Sequence, residues 1–186
     1  ESYGDILCLD GSSIIGNGFL KCRGDFIYYP LYANSWIATL HMTGTGSQFI
    51  DIINAEIDFF ELAIEKPNGV CYLKSGNLTT DYLKIISGTL SCDNGPSPTT
   101  TYDIVCDGNF ENQAGPAGFD ASTGKITFND WGYIIVSPNG TVFNTLEINS
   151  DDRAIRIDGD VTCANYDWTS GGIEVDEGAT FTVSDV

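Results

Sequence analysis

The chain has 186 residues and is 42% hydrophobic, so it is long enough and apolar enough to build a folded core. Its 26 acidic residues outnumber its 8 basic ones, which gives a net charge of −18. Such a surface repels nucleic-acid phosphates and anionic lipid headgroups, and it favours metal cations as partners. No run approaches the roughly 18 apolar residues of a membrane helix. No signal peptide is visible and the sequence starts at Glu1 rather than Met, so we expect a processed or trimmed chain.

The first 29 residues contain three short apolar runs that each begin at a glycine. These runs are GDILC, GFLKC and GDFIYY, which start at Gly4, Gly18 and Gly24. Cys8 and Cys22 occupy equivalent places in the first two runs. Glycine adopts the backbone angles of sharp corners at little cost, so this pattern predicts short strands separated by turns.

The next segment that carries structural information is residues 48–66, and its pattern fits two structures. Spacing typical of a helix links Phe49, Ile53, Ile57, Phe60 and Ile64. The same segment also alternates as a strand does, at Ile50/Ile52 and at Phe60/Leu62/Ile64, and isoleucine and phenylalanine favour sheets. Strand and helix both remain open for this segment at the sequence level.

Residues 69–92 hold the most regular pattern of the chain. Four short apolar runs, Val70–Leu73, Asn77–Thr80, Tyr82–Ile86 and Thr89–Cys92, follow one another, and Ser-Gly pairs fill two of the gaps. Such short strands with regular corners predict a β-solenoid, in which each turn of the chain stacks on the turn before it. The alternative is a β-sandwich or jelly roll built from hairpins.

Two longer loops are predicted downstream, near residues 93–101 and 111–123. A short alternating strand around residues 102–107 separates them. From Gly124 the glycine-and-apolar rhythm returns and continues to Val183. We therefore expect a single all-β domain over residues 1–186.

Cysteine use favours disulfides over a metal site. The six cysteines form no CxxC pair and the chain has one histidine, so a zinc site is not expected. An even cysteine count in an acidic, lysine-poor chain is typical of an oxidising, extracellular setting. The disulfide candidates are Cys8, Cys22, Cys71, Cys92, Cys106 and Cys163. Cys71 and Cys92 lie 92 − 71 = 21 residues apart, about one predicted turn, so they are candidates to bond. Buried free thiols are the alternative.

Two groups of oxygen ligands at predicted corners are candidates for a calcium site. One group is Asp107, Asn109 and Glu111, and the other is Asp158 with Asp160. Calcium binds carboxylate and amide oxygens, although neither group forms an EF-hand loop. The alternative is that these carboxylates are solvated and keep the protein soluble. No other cofactor is expected.

One acidic segment of the chain resembles sequence motifs of a family of enzymes. The segment SDDRAIRI, residues 150–157, resembles fragments of the acidic and Arg-Ile motifs of right-handed β-helix polysaccharide hydrolases. The Gly-His-Gly motif of that family is missing from this chain. We therefore expect Arg153 and Arg156 to neutralise nearby acids, and we do not expect an enzyme.

The motifs SGNL, SGTL and GGIEVDEGATFTV resemble the repeats of extracellular β-solenoid surface proteins such as adhesins. More loosely, a small acidic chain with cysteines is similar to subunits of archaeal cell sheaths and other extracellular tubes. The resemblance implies a cell-surface structural subunit that pairs with copies of itself by strand addition and locks by disulfides. The competing hypothesis is a carbohydrate-binding or adhesin module, in which Trp36, Trp131 and Trp168 stack on sugars.

Overall fold

The computed structural model describes residues 4–8, 18–29, 35–53, 57–129 and 134–184. Within these ranges about two thirds of the residues, 66%, lie in β-strands, and the only helical element is a 3-10 turn at Pro116–Gly118. The strands are β1 Ile6–Cys8, β2 Phe19–Cys22, β3 Phe26–Tyr28, β4 Ser35–Met42, β5 Gln48–Ile52, β6 Ile57–Ser75, β7 Leu78–Ser91, β8 Ile104–Cys106, β9 Phe110–Asn112, β10 Phe119–Asp120, β11 Lys125–Phe128, β12 Ile134–Ser137, β13 Val142–Ile157, β14 Val161–Val175 and β15 Phe181–Val183.

All pairings between these strands are parallel, and they stack segments of successive turns on three faces. Face 1 contains residues 35–37, 57–59, 78–80, 104–106, 126–128, 146–148 and 166–168. Face 2 contains residues 19–22, 39–42, 61–64, 82–85, 110–112, 134–137, 155–157 and 173–175. Face 3 contains residues 6–8, 26–28, 48–52, 70–75, 89–91, 119–120, 142–143, 161–163 and 181–183.

This arrangement is a β-solenoid of about seven turns, as the sequence predicts. Because a sandwich or jelly roll is built from antiparallel strands, the parallel ladders exclude that alternative. Each turn visits face 1, face 2 and face 3 in that order. The long strands β6, β7, β13 and β14 each bend around a corner and contribute to more than one face.

Apolar side chains form inward-facing columns along the solenoid axis. One column on face 2 consists of Leu20, Leu40, Leu62, Leu83, Phe110, Val136, Ile157 and Val175. The turn length varies, because Leu20 and Leu40 are 20 residues apart, whereas Leu83 and Phe110 are 27 apart. The longer turn contains the loop at residues 93–101, which explains the irregular glycine period in the sequence.

Aromatic rings from all three faces meet at the centre of the core. Phe110 of face 2 lies 5.8 Å from Phe119 and 5.5 Å from Phe143, both of face 3. Its centroid lies 6.3 Å from that of Phe128 on face 1. The edge-to-face geometry of these pairs is the one that aromatic quadrupoles favour.

Glycine corners are required by close contact between turns. Gly69 has a φ of +85°, and a Cβ at this position would lie 2.3 Å from the carbonyl oxygen of Gly46. Gly76 has a φ of +77°, and its Cβ would lie 2.5 Å from the carbonyl oxygen of Ile52. A side chain fits neither the backbone angles nor the space, which is why glycine marks the turns.

The structure resolves residues 48–66 as strands rather than a helix, since β5 and the start of β6 occupy the described part. The loop at residues 93–101 folds back on itself through an antiparallel bridge between Asp93 and Thr101. The second predicted loop, at residues 111–123, contains more structure than expected. It includes the end of β9, the 3-10 turn and β10, because the inward-facing Phe119 stacks on Leu90 and fixes this segment to the ladder.

Candidate functional site

Several acidic side chains at the corners tie neighbouring turns together. The amide of Asp25 donates to Asp5 Oδ1 at 2.9 Å, and the amide of Phe49 donates to Asp25 Oδ1 at 3.0 Å. Likewise, the amide of Lys125 donates to Asp103 Oδ1 at 2.8 Å. A carboxylate that accepts a backbone N–H makes a strong hydrogen bond. Part of the acidic excess therefore stabilises the fold.

The first predicted calcium group is divided by the structure. Asn109 Oδ1 accepts a hydrogen bond from the Ile135 amide at 2.8 Å, so this side chain links its own turn to the next turn of the solenoid. Glu111 forms an ion pair with Lys84 at 3.0 Å and accepts from Gln113. These contacts lower the pKa of Glu111, chiefly through the hydrogen bond from Gln113. Only Asp107 of this group joins a cluster of carboxylates.

That cluster consists of Asp58, Asp81 and Asp107, whose carboxylate oxygens lie within 4.8 Å of one another. All three are half-buried: Asp58 lies on face 1, whereas Asp81 and Asp107 lie at the adjoining corner between faces 1 and 2. Three carboxylates this close repel one another unless a proton or a cation lies between them, and oxygen ligands suit calcium. Asp58 and Asp81 were missed in the sequence because they are 81 − 58 = 23 residues from each other, about one turn. A search for acids one turn apart would have found them.

The second predicted calcium group, Asp158 and Asp160, lies on the corner between faces 2 and 3. Both residues line a groove of about 560 Å³, and Glu111 lines the same groove. The carbonyl oxygen of Asp160 accepts a hydrogen bond from the Gly140 amide at 3.1 Å, which fixes the backbone here. The structure thus places members of both predicted groups around one groove, and calcium binding there stays a prediction.

All six cysteines are buried and carry free thiols. Cys71 lies in register with Gln48 on one side and Leu90 on the other, so Cys92 is not its direct neighbour. The expected Cys71–Cys92 disulfide is therefore not formed in this structure, because the turn between them brings Leu90 into register instead. Burial raises the pKa of the Cys71 thiol to about 12, which keeps it protonated and unreactive.

The segment that resembles polysaccharide hydrolases has a structural contact at its second arginine. Arg156 Nε donates to Asp176 Oδ1 at 2.6 Å, and its Nη2 donates to Oδ2 at 2.5 Å. This bidentate pair links the last two turns of face 2 and lowers the pKa of Asp176. Arg156 thus neutralises a nearby acid, as the sequence predicts, while the side chain of Arg153 lies outside the described residues.

The end of the solenoid formed by β14 and β15 carries an exposed apolar surface, which we call the end surface and define as Trp168, Val175 and Val183. Each of these residues is the last member of a column whose preceding members are Ile148, Ile157 and Cys163, all fully buried. The three end residues are 63%, 39% and 47% exposed, respectively. The end surface has the composition of the core, and no turn among the described residues covers it.

The predicted sugar-stacking platform stays a prediction. Trp168 belongs to the end surface, and its ring N–H donates to the Gly171 carbonyl at 2.9 Å. Trp131 and the side chain of Trp36 lie outside the described residues. The described residues include an exposed aromatic pair on the lateral surface, Phe60 and Tyr82, with ring centroids 5.6 Å apart.

Comparisons with protein-family models, curated proteins and solved structures find no match for this chain. Within the described ranges, the chain forms no helix with the length and apolar character that a bilayer crossing needs.

Proposed function

We propose that this protein is a structural subunit of an extracellular sheath, tube or filament, and that it assembles with copies of itself through the end of its solenoid. The end surface carries this proposal. Core-like side chains that are left uncovered at one end of a protein often mark an interface. Trp168, Val175 and Val183 are such a set.

Backbone chemistry at the same end supports the proposal. β15 pairs with only Val161, Thr162 and Cys163 of β14, so the remainder of β14 forms one edge of the sheet in the described chain. An edge of this kind offers unpaired N–H and C=O groups to another strand. A second copy that adds its strands in parallel would satisfy these groups and bury the end surface in one step.

The cell-surface location rests on the resemblance of the glycine-cornered motifs to extracellular solenoid proteins. Disulfide locking, which that resemblance also implies, is not part of the proposal, because all six thiols are free and buried. Strand pairing and apolar burial hold the assembly instead. No step of this role requires catalysis.

A pair of valine variants tests the proposal. Val183→Lys places a charge on the end surface, whereas Val142→Lys places the same charge on the lateral surface, where Val142 is 56% exposed. We expect the unmodified chain and Val142→Lys to form oligomers or filaments in sedimentation velocity and negative-stain electron microscopy. Val183→Lys should remain monomeric, since burying an unpaired lysine is costly. An unmodified chain that stays monomeric at high protein concentration and physiological salt contradicts the proposal.

A further inference from the structure

A buried lysine and a buried glutamine form a polar centre inside the solenoid at the corner between faces 2 and 3. Lys66 is fully buried and Gln48 is 1% exposed. Gly88 leaves the space that this lysine occupies, because a Cβ on Gly88 would lie 2.7 Å from the Cβ of Lys66. Lysine is almost never fully buried without a specific partner, so this placement calls for an explanation.

The contacts of Lys66 are made with uncharged groups. Its Nζ donates to the Gly44 carbonyl oxygen at 2.9 Å and to Gln48 Oε1 at 2.5 Å. Among the described residues, no carboxylate forms a salt bridge with this amine. An ammonium group that makes no salt bridge is unstable in such a place, and burial lowers the pKa of Lys66 by more than the neighbouring Asp25 carboxylate raises it. The amine is thereby biased toward its neutral, nucleophilic form.

The carboxamide of Gln48 is held in one orientation beside this amine. Its Oε1 accepts from the Gly44 amide at 2.9 Å, in addition to the contact with Lys66. Its Nε2 donates to the carbonyl oxygens of Cys22 and Gly24. The Gly44 amide is placed to stabilise negative charge on Oε1, which is the charge that develops when a nucleophile attacks the carboxamide carbon.

We propose that Lys66 and Gln48 form an intramolecular isopeptide bond. Once Lys66 has released its proton to solvent, the neutral Nζ forms a bond to Gln48 Cδ. The Cδ–Nε2 bond then breaks, one proton moves from Nζ to Nε2, and ammonia leaves. The atoms balance without an oxidant, a reductant or a second substrate.

Proximity makes this exchange feasible. Well-oriented groups within one molecule react as if one were present at up to about 10⁵–10⁸ M, and this gain offsets the low reactivity of an amide. A surface groove of about 560 Å³ is lined by Gly44, Glu65 and Pro67, so solvent lies next to the site and ammonia has a short way out. The bond would join consecutive turns of the solenoid covalently, in place of the disulfides that the fold lacks.

Mass spectrometry of the denatured, reduced chain tests this proposal directly. We expect a mass lower than that of the unmodified sequence by one ammonia. Cleavage after glutamate separates Gln48, which lies in residues 2–56, from Lys66, which begins the fragment 66–111. The isopeptide bond would hold these two fragments together. Separate fragments 2–56 and 66–111 of unmodified mass would overturn the proposal.

Three variants provide the controls. Lys66→Met removes the nucleophile and Gln48→Met removes the acceptor, so neither variant should yield the joined fragments. Lys74→Met removes an exposed lysine that pairs with Asp51, and it should leave the joined fragments unchanged. A joined pair that persists in Lys66→Met would also overturn the assignment. Because the fragment map of the unmodified chain decides the question alone, the test does not depend on the folding of the variants.

Discussion

At the residue scale, the cysteines act as small core side chains. Cys22 stacks on Met42, and Cys106 lies between Thr80 and Phe128 in an inward column of face 1. Burial raises the pKa of Cys22 to about 11 and that of Cys106 to about 12. An even cysteine count and plausible spacing favour disulfides, but the pairing depends on register across turns, which spacing alone does not determine.

These buried thiols predict that the protein loses stability in alkaline solution. A cysteine whose pKa is raised in the folded state stays protonated at a pH where the same thiol in the unfolded chain ionises. Its contribution to the free energy of unfolding is therefore fully present below the unfolded pKa near 8.5 and falls as the pH rises above that value. Each such thiol costs about 1.4 kcal/mol per pH unit until its folded pKa is reached. A free Lys66 amine would act in the opposite direction because its pKa is lowered, whereas Lys66 in an isopeptide bond would not titrate. In either case the six thiols outnumber it.

Urea unfolding at about pH 8 and pH 10 measures this effect as a shift of the midpoint to lower urea. Cys106→Ala supplies the matched control. Because it has one buried thiol fewer, its free energy of unfolding should fall less between the two pH values than that of the unmodified chain, by the contribution of a single thiol. Equal midpoints at the two pH values would show that the thiols are ionised or blocked in the folded state.

At the scale of elements, strands and corners were predictable because both leave local signals. Alternation predicts a strand, and a glycine that precedes it predicts the corner, so β7 and the corners at Gly76 and Gly88 follow from residues 69–92. Contacts between turns leave no local signal. The cluster of Asp58 with Asp81 and Asp107, and the contact of Lys66 with Gln48, arise only when register brings separate segments together.

The corner glycines are predicted to be essential for stability. Gly69→Ala should lower the free energy of unfolding by about 2 kcal/mol or more, because a side chain in the left-handed region costs about 1–2 kcal/mol and its Cβ also meets a carbonyl oxygen. Gly172→Ala is the control, since its Cβ would meet nothing closer than the Cβ of Ala154 at 3.9 Å. Urea unfolding of both variants provides the comparison, and equal stability of the two would refute the steric account of the corners.

At the scale of the whole molecule, two long-range properties oppose each other. The end surface favours association because burying apolar area is worth about 25 cal/mol per Å². The net charge of −18 opposes it, since every copy repels the next. Lateral ion pairs such as Lys84 with Glu111 and Lys125 with Glu147 are already counted in this net charge, so they do not reduce it. The balance between the two properties is therefore set by the ions in solution.

Assembly should consequently increase with ionic strength. The Debye length falls from about 30 Å at 0.01 M salt to about 8 Å at 0.15 M, which removes most of the repulsion between copies while leaving apolar burial intact. Sedimentation velocity across this range, in sodium chloride, should show a rise in the oligomer fraction. Val142→Lys, which reduces the excess negative charge by one without touching the end surface, should assemble at slightly lower salt than the unmodified chain. Dissociation on adding salt would mean that charge pairing, rather than the end surface, holds the copies together.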